Sequence, residues 1–274
     1  MYNFIDGDFF ESLADFSFGD MYSKNLSQPS YDIVKKIFEE FDEPIIFIET
    51  HRLGSLFTEL NRFLNRECSI IAHNSDATFG ADILNYIPKN VKKIWCQNYN
   101  YIENDKIKSL PIGLERVRWF PEQKKQEVIF SKLNRHLTRD QLVYMNFDPK
   151  TNPQRIKIFN EIKDKNFINI DLIGNGGNYE SYTDNLLRHK FIISPPGNGI
   201  DCHRNWESLM LGCIPIVLDS YFSKNMFRDA PVLIVDDYSK LNQDFLFEQY
   251  DKLSNKSYEL KYNKYWENVI YETN

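Results

Sequence analysis

Between positions 191 and 217 the chain reads Phe191-Ile-Ile-Ser-Pro-Pro-Gly-Asn-Gly-Ile-Asp-Cys-His-Arg-Asn-Trp-Glu-Ser-Leu-Met-Leu-Gly-Cys-Ile-Pro-Ile-Val217, a run whose residue types suit the binding of a phosphate. Pro196, Gly197, Asn198 and Gly199 form a loop in which the two glycines let the backbone turn tightly and approach a ligand with no Cβ in the way. A helix starting near Asp201 or Cys202 would present unpaired amides and the positive end of its dipole. Arg204 falls in its first turn and can offer a forked pair of hydrogen bonds to phosphate oxygens. Glu207, three residues on, shares the helix face with Arg204. Its carboxylate could accept both hydroxyls of a ribose, or simply hold Arg204 in place. A structural glycine loop with a surface Arg–Glu pair is the plainer reading of the same residues.

The elements that must position this segment alternate between strand and helix. Pro44–Glu49, Cys68–His73 and Val91–Cys96 read as buried strands, separated by helical patterns at Gly54–Asn65 and Phe79–Tyr86. A helix over Tyr31–Phe41 precedes them, with Ser30 as its cap. A second series follows a polar passage at Arg116–Gln126. It runs helix Glu127–Leu137, strand Gln141–Asn146, helix from Asn152-Pro153 to Lys163, strand Phe167–Ile173, helix Tyr182–His189 and strand Phe191–Ser194. Helix His203–Leu211 and strands Ile214–Leu218 and Val232–Val235 complete it. Short apolar runs between helices predict parallel sheets covered on both faces. The expected organisation is a Rossmann-like domain over 1–125, a second over 126–255, and a C-terminal helical segment over 256–274. Leu241–Leu253 and Ser257–Tyr271 carry the helical spacing, and Tyr262, Trp266 and Ile270 read as core.

The stretch Tyr182–Ser220 resembles the donor-binding portion of exostosin-like glycosyltransferases, and more distantly other two-domain sugar transferases of the GT-B fold. Phe191, Pro196, Gly197, Gly199, Arg204, Glu207, Gly212, Ile214, Pro215 and Val217 carry the resemblance. It implies an α/β, GT-B-like architecture of two Rossmann-like domains whose parallel sheets face a cleft. It also implies a last helix that packs back on the first domain, a nucleotide-diphosphate sugar as co-substrate, and a saccharide or other glycoconjugate as acceptor. Arg204 is then expected near the diphosphate and Glu207 near the ribose. His203 stands where many relatives have a small hydroxyl or other polar residue. Position 215, eight residues after Glu207, is Pro rather than a second carboxylate, which points to inversion.

Transfer to a hydroxyl also needs a base. Candidates lie where three strands end: Glu49 and His51; His73, Asn74 and Asp76; and Asn98 beside Gln97. Asp76 is the first choice as base, then Glu49 and His73. Asp76 is equally readable as the cap of the Phe79 helix, Glu49 as the partner of Arg52, and His73 as an ordinary strand-end residue. Glu115 follows the flexible turn at Gly113, and Asn146 and Asp148 follow the first strand of the second series. Gly174-Asn-Gly-Gly177 has Tyr179 where a dinucleotide fingerprint needs its third glycine, which argues against a nicotinamide enzyme.

Bulk properties narrow the partners. A net charge of -6 over 274 residues gives no reason to expect nucleic acid. Asp236-Asp237 lacks the spacing of a metal motif, and Cys68, Cys96, Cys202 and Cys213 are too scattered for a zinc site or a disulfide framework. No metal and no cofactor beyond the nucleotide sugar is expected. The first sixteen residues hold four acidic side chains and no Lys or Arg, unlike a secretory signal. No run approaches the roughly 20 apolar residues of a membrane span. The expected location is cytoplasmic, either free or peripheral to a membrane. A non-catalytic nucleotide-binding or scaffold protein of the same shape is the alternative.

Overall fold

The computed structural model describes residues 4–21, 26–102, 104–119, 121–135, 137–171 and 178–272. The Gly174–Gly177 loop lies outside these residues, as do the end of the Phe167–Ile173 strand and the residues around Lys24. The chain divides into two compact units, one of residues 4–112 with 262–272, the other Gly113–Lys261. The division falls at 112/113, whereas the sequence reading divides the chain at 125/126.

The first unit contains α1 (Gly7–Ser12), β1 (Phe16–Ser17), α2 (Tyr31–Glu40), β2 (Ile45–Glu49), α3 (Leu53–Leu60), β3 (Cys68–His73), α4 (Ala81–Leu84), β4 (Val91–Gln97) and β5 (Ile107–Leu110). Its sheet runs β1-β2-β3-β4-β5 with every neighbour parallel. All residues of β2 and β3 are buried, as expected of central strands covered on both faces. Two edge strands escape the sequence reading: β1 is two residues long, and β5, Ile-Lys-Ser-Leu, is half polar. The helix expected at Phe79–Tyr86 shrinks to α4, and Ser30 heads α2 without a side-chain cap bond. Helix α11 (Asn263–Glu272, numbered last in the chain) belongs to this unit: Trp266 meets the Phe10 ring edge-on at 6.0 Å, and Tyr271 Oη donates to Leu13 O at 3.2 Å.

The second unit contains α5 (Lys125–Lys132), β6 (Gln141–Met145), α6 (Pro153–Ile162), β7 (Ile168–Ile170), α7 (Tyr179–Arg188), β8 (His189–Ile193), α8 (His203–Met210), β9 (Ile214–Leu218), α9 (Tyr221–Met226), β10 (Leu233–Val235) and α10 (Gln243–Leu253). Its strands lie in the order β10-β9-β8-β6-β7, all parallel. Counted from its own first strand this is the doubly wound order 2-1-3-4-5, which reverses direction between β6 and β8. Val143, Met145, Phe191, Ile193, Ile214 and Ile216 form the centre of its core. Helix α9 was not expected; the reciprocal capping box of Ser220 and Ser223 starts it.

Gly212 ends α8 with φ of +73°, the left-handed residue that closes many helices. A Cβ there would stand 2.9 Å from Arg139 Nη2. That guanidinium is fixed by the carbonyls of Leu186 at 2.6 Å and His189 at 2.7 Å, and it also meets Leu211 O. Gly212→Ala is therefore expected to lower stability by about 1 to 2 kcal/mol from the left-handed backbone alone. Urea unfolding of the variant measures it, and an unchanged midpoint would refute this account.

Candidate functional site

The loop and helix after β8 are built around Asp201, which is 2% exposed. Its carboxylate accepts from Cys202 N at 2.9 Å, Asn205 Nδ2 at 2.9 Å and Trp206 Nε1 at 2.8 Å. Ser194, at the end of β8, donates to Asn205 Oδ1 at 2.6 Å, so strand end and helix start are locked together. Cys202 heads α8 without a side-chain cap bond, leaving the amides of His203 and Arg204 without a capping side chain.

The loop is held from behind by the start of α6. Arg155 Nε donates to Pro196 O at 2.8 Å and Nη2 to Pro195 O at 3.3 Å. Asn152 caps α6 and donates to Gly197 O at 2.7 Å and Pro196 O at 3.2 Å. A Cβ on Gly197 would lie 3.3 Å from Arg155 Nη2, so the glycine permits close approach of the guanidinium. Neither Gly197 nor Gly199 has a positive φ. Pro196, Gly197, Asn198 and Gly199 are absent from the lining of the neighbouring hollow; the Pro196 and Gly197 carbonyls serve the framework behind it.

That hollow has a volume of about 430 Å³ and opens at the carboxyl ends of β6 and β7 beside the start of α8. Among the expected residues, Asn146, His203, Arg204 and Glu207 line it, as does Glu115. His203 Nδ1 donates to Gly113 O at 2.8 Å. Asn146 spends both amide protons, on Tyr144 Oη at 3.0 Å and Asp171 O at 2.7 Å, which fixes its orientation. Asp148 instead accepts Lys150 N at 2.8 Å as the cap of a 3-10 turn and does not line the hollow.

Two charges in this hollow lack the partners a surface pair would have. Among the described residues neither Arg204 nor Arg155 has a carboxylate within ion-pair distance, and Arg204 Nε is buried without a hydrogen-bond partner. Burial, and then the facing Arg204 guanidinium, push the Arg155 pKa down. Two uncompensated guanidiniums beside uncapped amides favour an anion. Glu207 does not hold Arg204. Its Oε1 accepts Tyr179 Oη at 2.7 Å and its Oε2 accepts Tyr182 Oη at 2.8 Å. Sequence reasoning missed Arg155, Tyr179 and Tyr182. Beginning the helix at Tyr182 hid the three-residue spacing of the two tyrosines, which is their one visible signal.

In the first unit the polar strand ends gather on one edge of the sheet, with Glu49 in register with His73. Glu49 is 3% exposed; it accepts Arg52 Nη1 at 3.3 Å and Met21 N at 3.3 Å. Arg52 also donates to Gly19 O at 3.0 Å and to Ser27 O. The Arg52 pairing is thus the arrangement observed. His73 is buried, with Nδ1 2.8 Å from Asn74 Oδ1 and Nε2 2.9 Å from Pro111 O. Asn74 and Asn98 adopt left-handed φ of 56° and 60°. Asn74 Nδ2 donates to Asp20 and Asn98 Nδ2 to Ser75 O, while His51 Nδ1 lies 3.1 Å from Ser75 Oγ. Asp76 is exposed. It does not cap the following helix, which starts at Ala81 behind Gly80.

Cys68, Cys96 and Cys213 are buried, and burial pushes the Cys68 and Cys213 thiols up to about 12. Cys202 is half-buried on the hollow. Among the described residues no group of three or more His, Cys, Asp or Glu could hold a metal ion, and no helix is long and apolar enough to cross a membrane.

Neither a family model nor a curated protein matches the chain. Solved structures do. An apo structure of OtsA is 12% identical, with 92% of this chain and 80% of that chain covered and a TM-score of 0.50. An E. coli trehalose-6-phosphate structure bound with UDP-2-fluoro glucose is 13% identical, covering 92% and 78%, with a TM-score of 0.41. A UDP-forming trehalose-phosphate synthase from Burkholderia xenovorans is 11% identical, covering 92% and 81%, with a TM-score of 0.45. The fold is that of GT-B proteins: α/β, with two parallel sheets.

Glu49→Ala is expected to leave the buried Arg52 without its carboxylate and to cost about 3 kcal/mol or more. Chemical denaturation checks it; a loss below about 0.5 kcal/mol, the range of ordinary surface substitutions, would deny Glu49 a structural role.

Proposed function

We propose that the second unit binds a nucleotide-diphosphate sugar and that the chain transfers the sugar to a hydroxyl of a saccharide or other glycoconjugate. The observation that carries this is the hollow at the carboxyl ends of a 2-1-3-4-5 sheet, which Arg204 and the other residues that open the uncapped helix α8 line together with Glu207. Diphosphate is a leaving group whose negative charge grows as the sugar departs. Amides and guanidiniums fixed in advance stabilise that charge without rearranging during the reaction. Glu207, one helical turn beyond Arg204, is suited to ribose hydroxyls. The reaction needs no metal in this scheme, and inversion with a single displacement is the stereochemistry that fits Pro215 in place of a second carboxylate. A kinship with exostosin-like transferases rests on Tyr182–Ser220 alone.

Asp76 is the base in this proposal. Glu49 and His73 direct their polar atoms to internal partners, whereas Asp76 is an exposed carboxylate on the loop after β3. A non-catalytic nucleotide-binding protein is the second reading, and Asp76 separates the two.

Arg204→Ala is expected to weaken nucleoside diphosphate binding about tenfold or more, because a charge-assisted contact contributes about 1.5 to 3 kcal/mol. Its melting temperature should stay near that of the parent. Calorimetric titration with UDP, GDP and ADP checks it; equal affinities of parent and variant would remove Arg204 from the site. Asp76→Asn should reduce turnover at least about a hundredfold, the usual scale of general-base catalysis, while leaving nucleoside diphosphate affinity unchanged. Donor hydrolysis and product mass spectrometry read this out, and full activity of the variant would displace Asp76 as the base.

A further inference from the structure

Glu207 is a buried carboxylate, 6% exposed, on the wall of the hollow. Among the described residues it forms no ion pair with Arg204, despite standing one turn away on the same helix. Its two hydrogen bonds come from α7, one phenol on each oxygen: Tyr179 to Oε1 at 2.7 Å and Tyr182 to Oε2 at 2.8 Å. Burial, and then the charge of Glu207, raise the pKa of both tyrosines, so each phenol keeps its proton and acts as donor. A carboxylate has about four acceptor sites. Two are filled from α7, and the phenols fix the plane of the group, so each oxygen keeps one acceptor direction for a ligand. What such a group can receive is a pair of adjacent hydroxyl donors.

We propose that Tyr179 and Tyr182 are positioning residues that lock Glu207 to receive the vicinal 2′- and 3′-hydroxyls of a ribose, so that the site selects ribonucleoside diphosphates over their 2′-deoxy counterparts. This rests on the donor-site reading given above. A ligand lacking the 2′-hydroxyl leaves one oxygen of a desolvated carboxylate short of a donor, and sites built to bond a hydroxyl reject the analogue without it strongly. A free carboxylate would rotate and recover a partner or water. The two phenols remove that freedom, so they act on discrimination and not on the diphosphate contact. Tyr→Phe retains the ring and removes only the hydroxyl, so packing of Tyr182, which is 7% exposed, is preserved.

The test titrates UDP and GDP, each beside its 2′-deoxy form, into the parent, Tyr179→Phe, Tyr182→Phe and the double variant. The parent is expected to bind each ribonucleotide about tenfold or more tightly than its deoxy form, the scale of one hydrogen bond to a charged group. The double variant should bring that ratio to about threefold or less, chiefly by weakening the ribonucleotide. Arg204→Ala should weaken both forms together and leave the ratio as in the parent. A parent ratio near one, or a double variant that keeps the parent ratio, overturns the proposal while leaving the diphosphate site standing. Absence of binding by either form to the parent overturns the donor-site reading and this proposal with it.

Discussion

Two guanidiniums that, among the described residues, have no carboxylate within ion-pair distance set the character of the second unit. Arg155 donates to the carbonyls of Pro195 and Pro196 and to Thr151 Oγ1, and Arg204 carries a buried Nε with no hydrogen-bond partner. Burial first, and then the charge of Arg204, lower the Arg155 pKa. A folded chain tolerates such a pair when its surroundings already hold it rigidly. Here Asp201 binds the start of α8 through three donors, and Asn152 with Arg155 ties the preceding loop to α6. The framework thus holds both guanidiniums on the wall of one hollow. Carbonyl dipoles stabilise Arg155 without cancelling its charge.

The first unit handles buried charge in the opposite way. Glu49 and Arg52 neutralise each other, and Arg52 Nη1 and Nη2 also donate to the backbone that follows β1. His73 meets an oxygen at each ring nitrogen, and the Asn74 side chain that supplies one of them is itself bound to Asp20. The left-handed turns at Asn74 and Asn98 cost energy that asparagine tolerates better than most residues. Most of the polar groups at this edge are thus tied to one another, although Thr50 Oγ1, Arg52 Nε and Gln97 Oε1 are buried without a partner among the described residues, and the exposed carboxylate of Asp76 stands outside these bonds.

Much of this was readable from the sequence, and the failures have physical causes. The central strands β2, β3, β6, β8 and β9 announce themselves as short apolar runs because they are buried on both faces. Edge strands lack that pressure, so two-residue β1 and half-polar β5 leave no clear pattern. At the site, Arg204 and Glu207 were legible because a helix start after a strand limits where their side chains point. Gly197 was recognised for the wrong reason. Its missing Cβ makes room for Arg155 from α6, and no local pattern reveals a neighbour 42 positions away in the chain. Arg155 escapes the sequence for the same reason, while the tyrosines of α7 escape it because their spacing shows only once the helix is begun at Tyr179.

The separation of Arg204 from Glu207 is the least expected of these features. On an isolated helix an Arg and a Glu three residues apart attract, though the gain is only about 0.2 to 0.5 kcal/mol. Two phenol bonds to a desolvated carboxylate outweigh that attraction easily. Their donors come from α7, and α7 is in turn clamped to α5 by the buried Lys132, whose ammonium meets Glu180 at 2.9 Å, Asp184 at 2.7 Å and Thr183 Oγ1 at 2.7 Å. A lysine of α5 thereby anchors the helix that carries both phenols. Were the tyrosine hydroxyls absent, the carboxylate would lose its fixed plane, and the hollow its oriented acceptor.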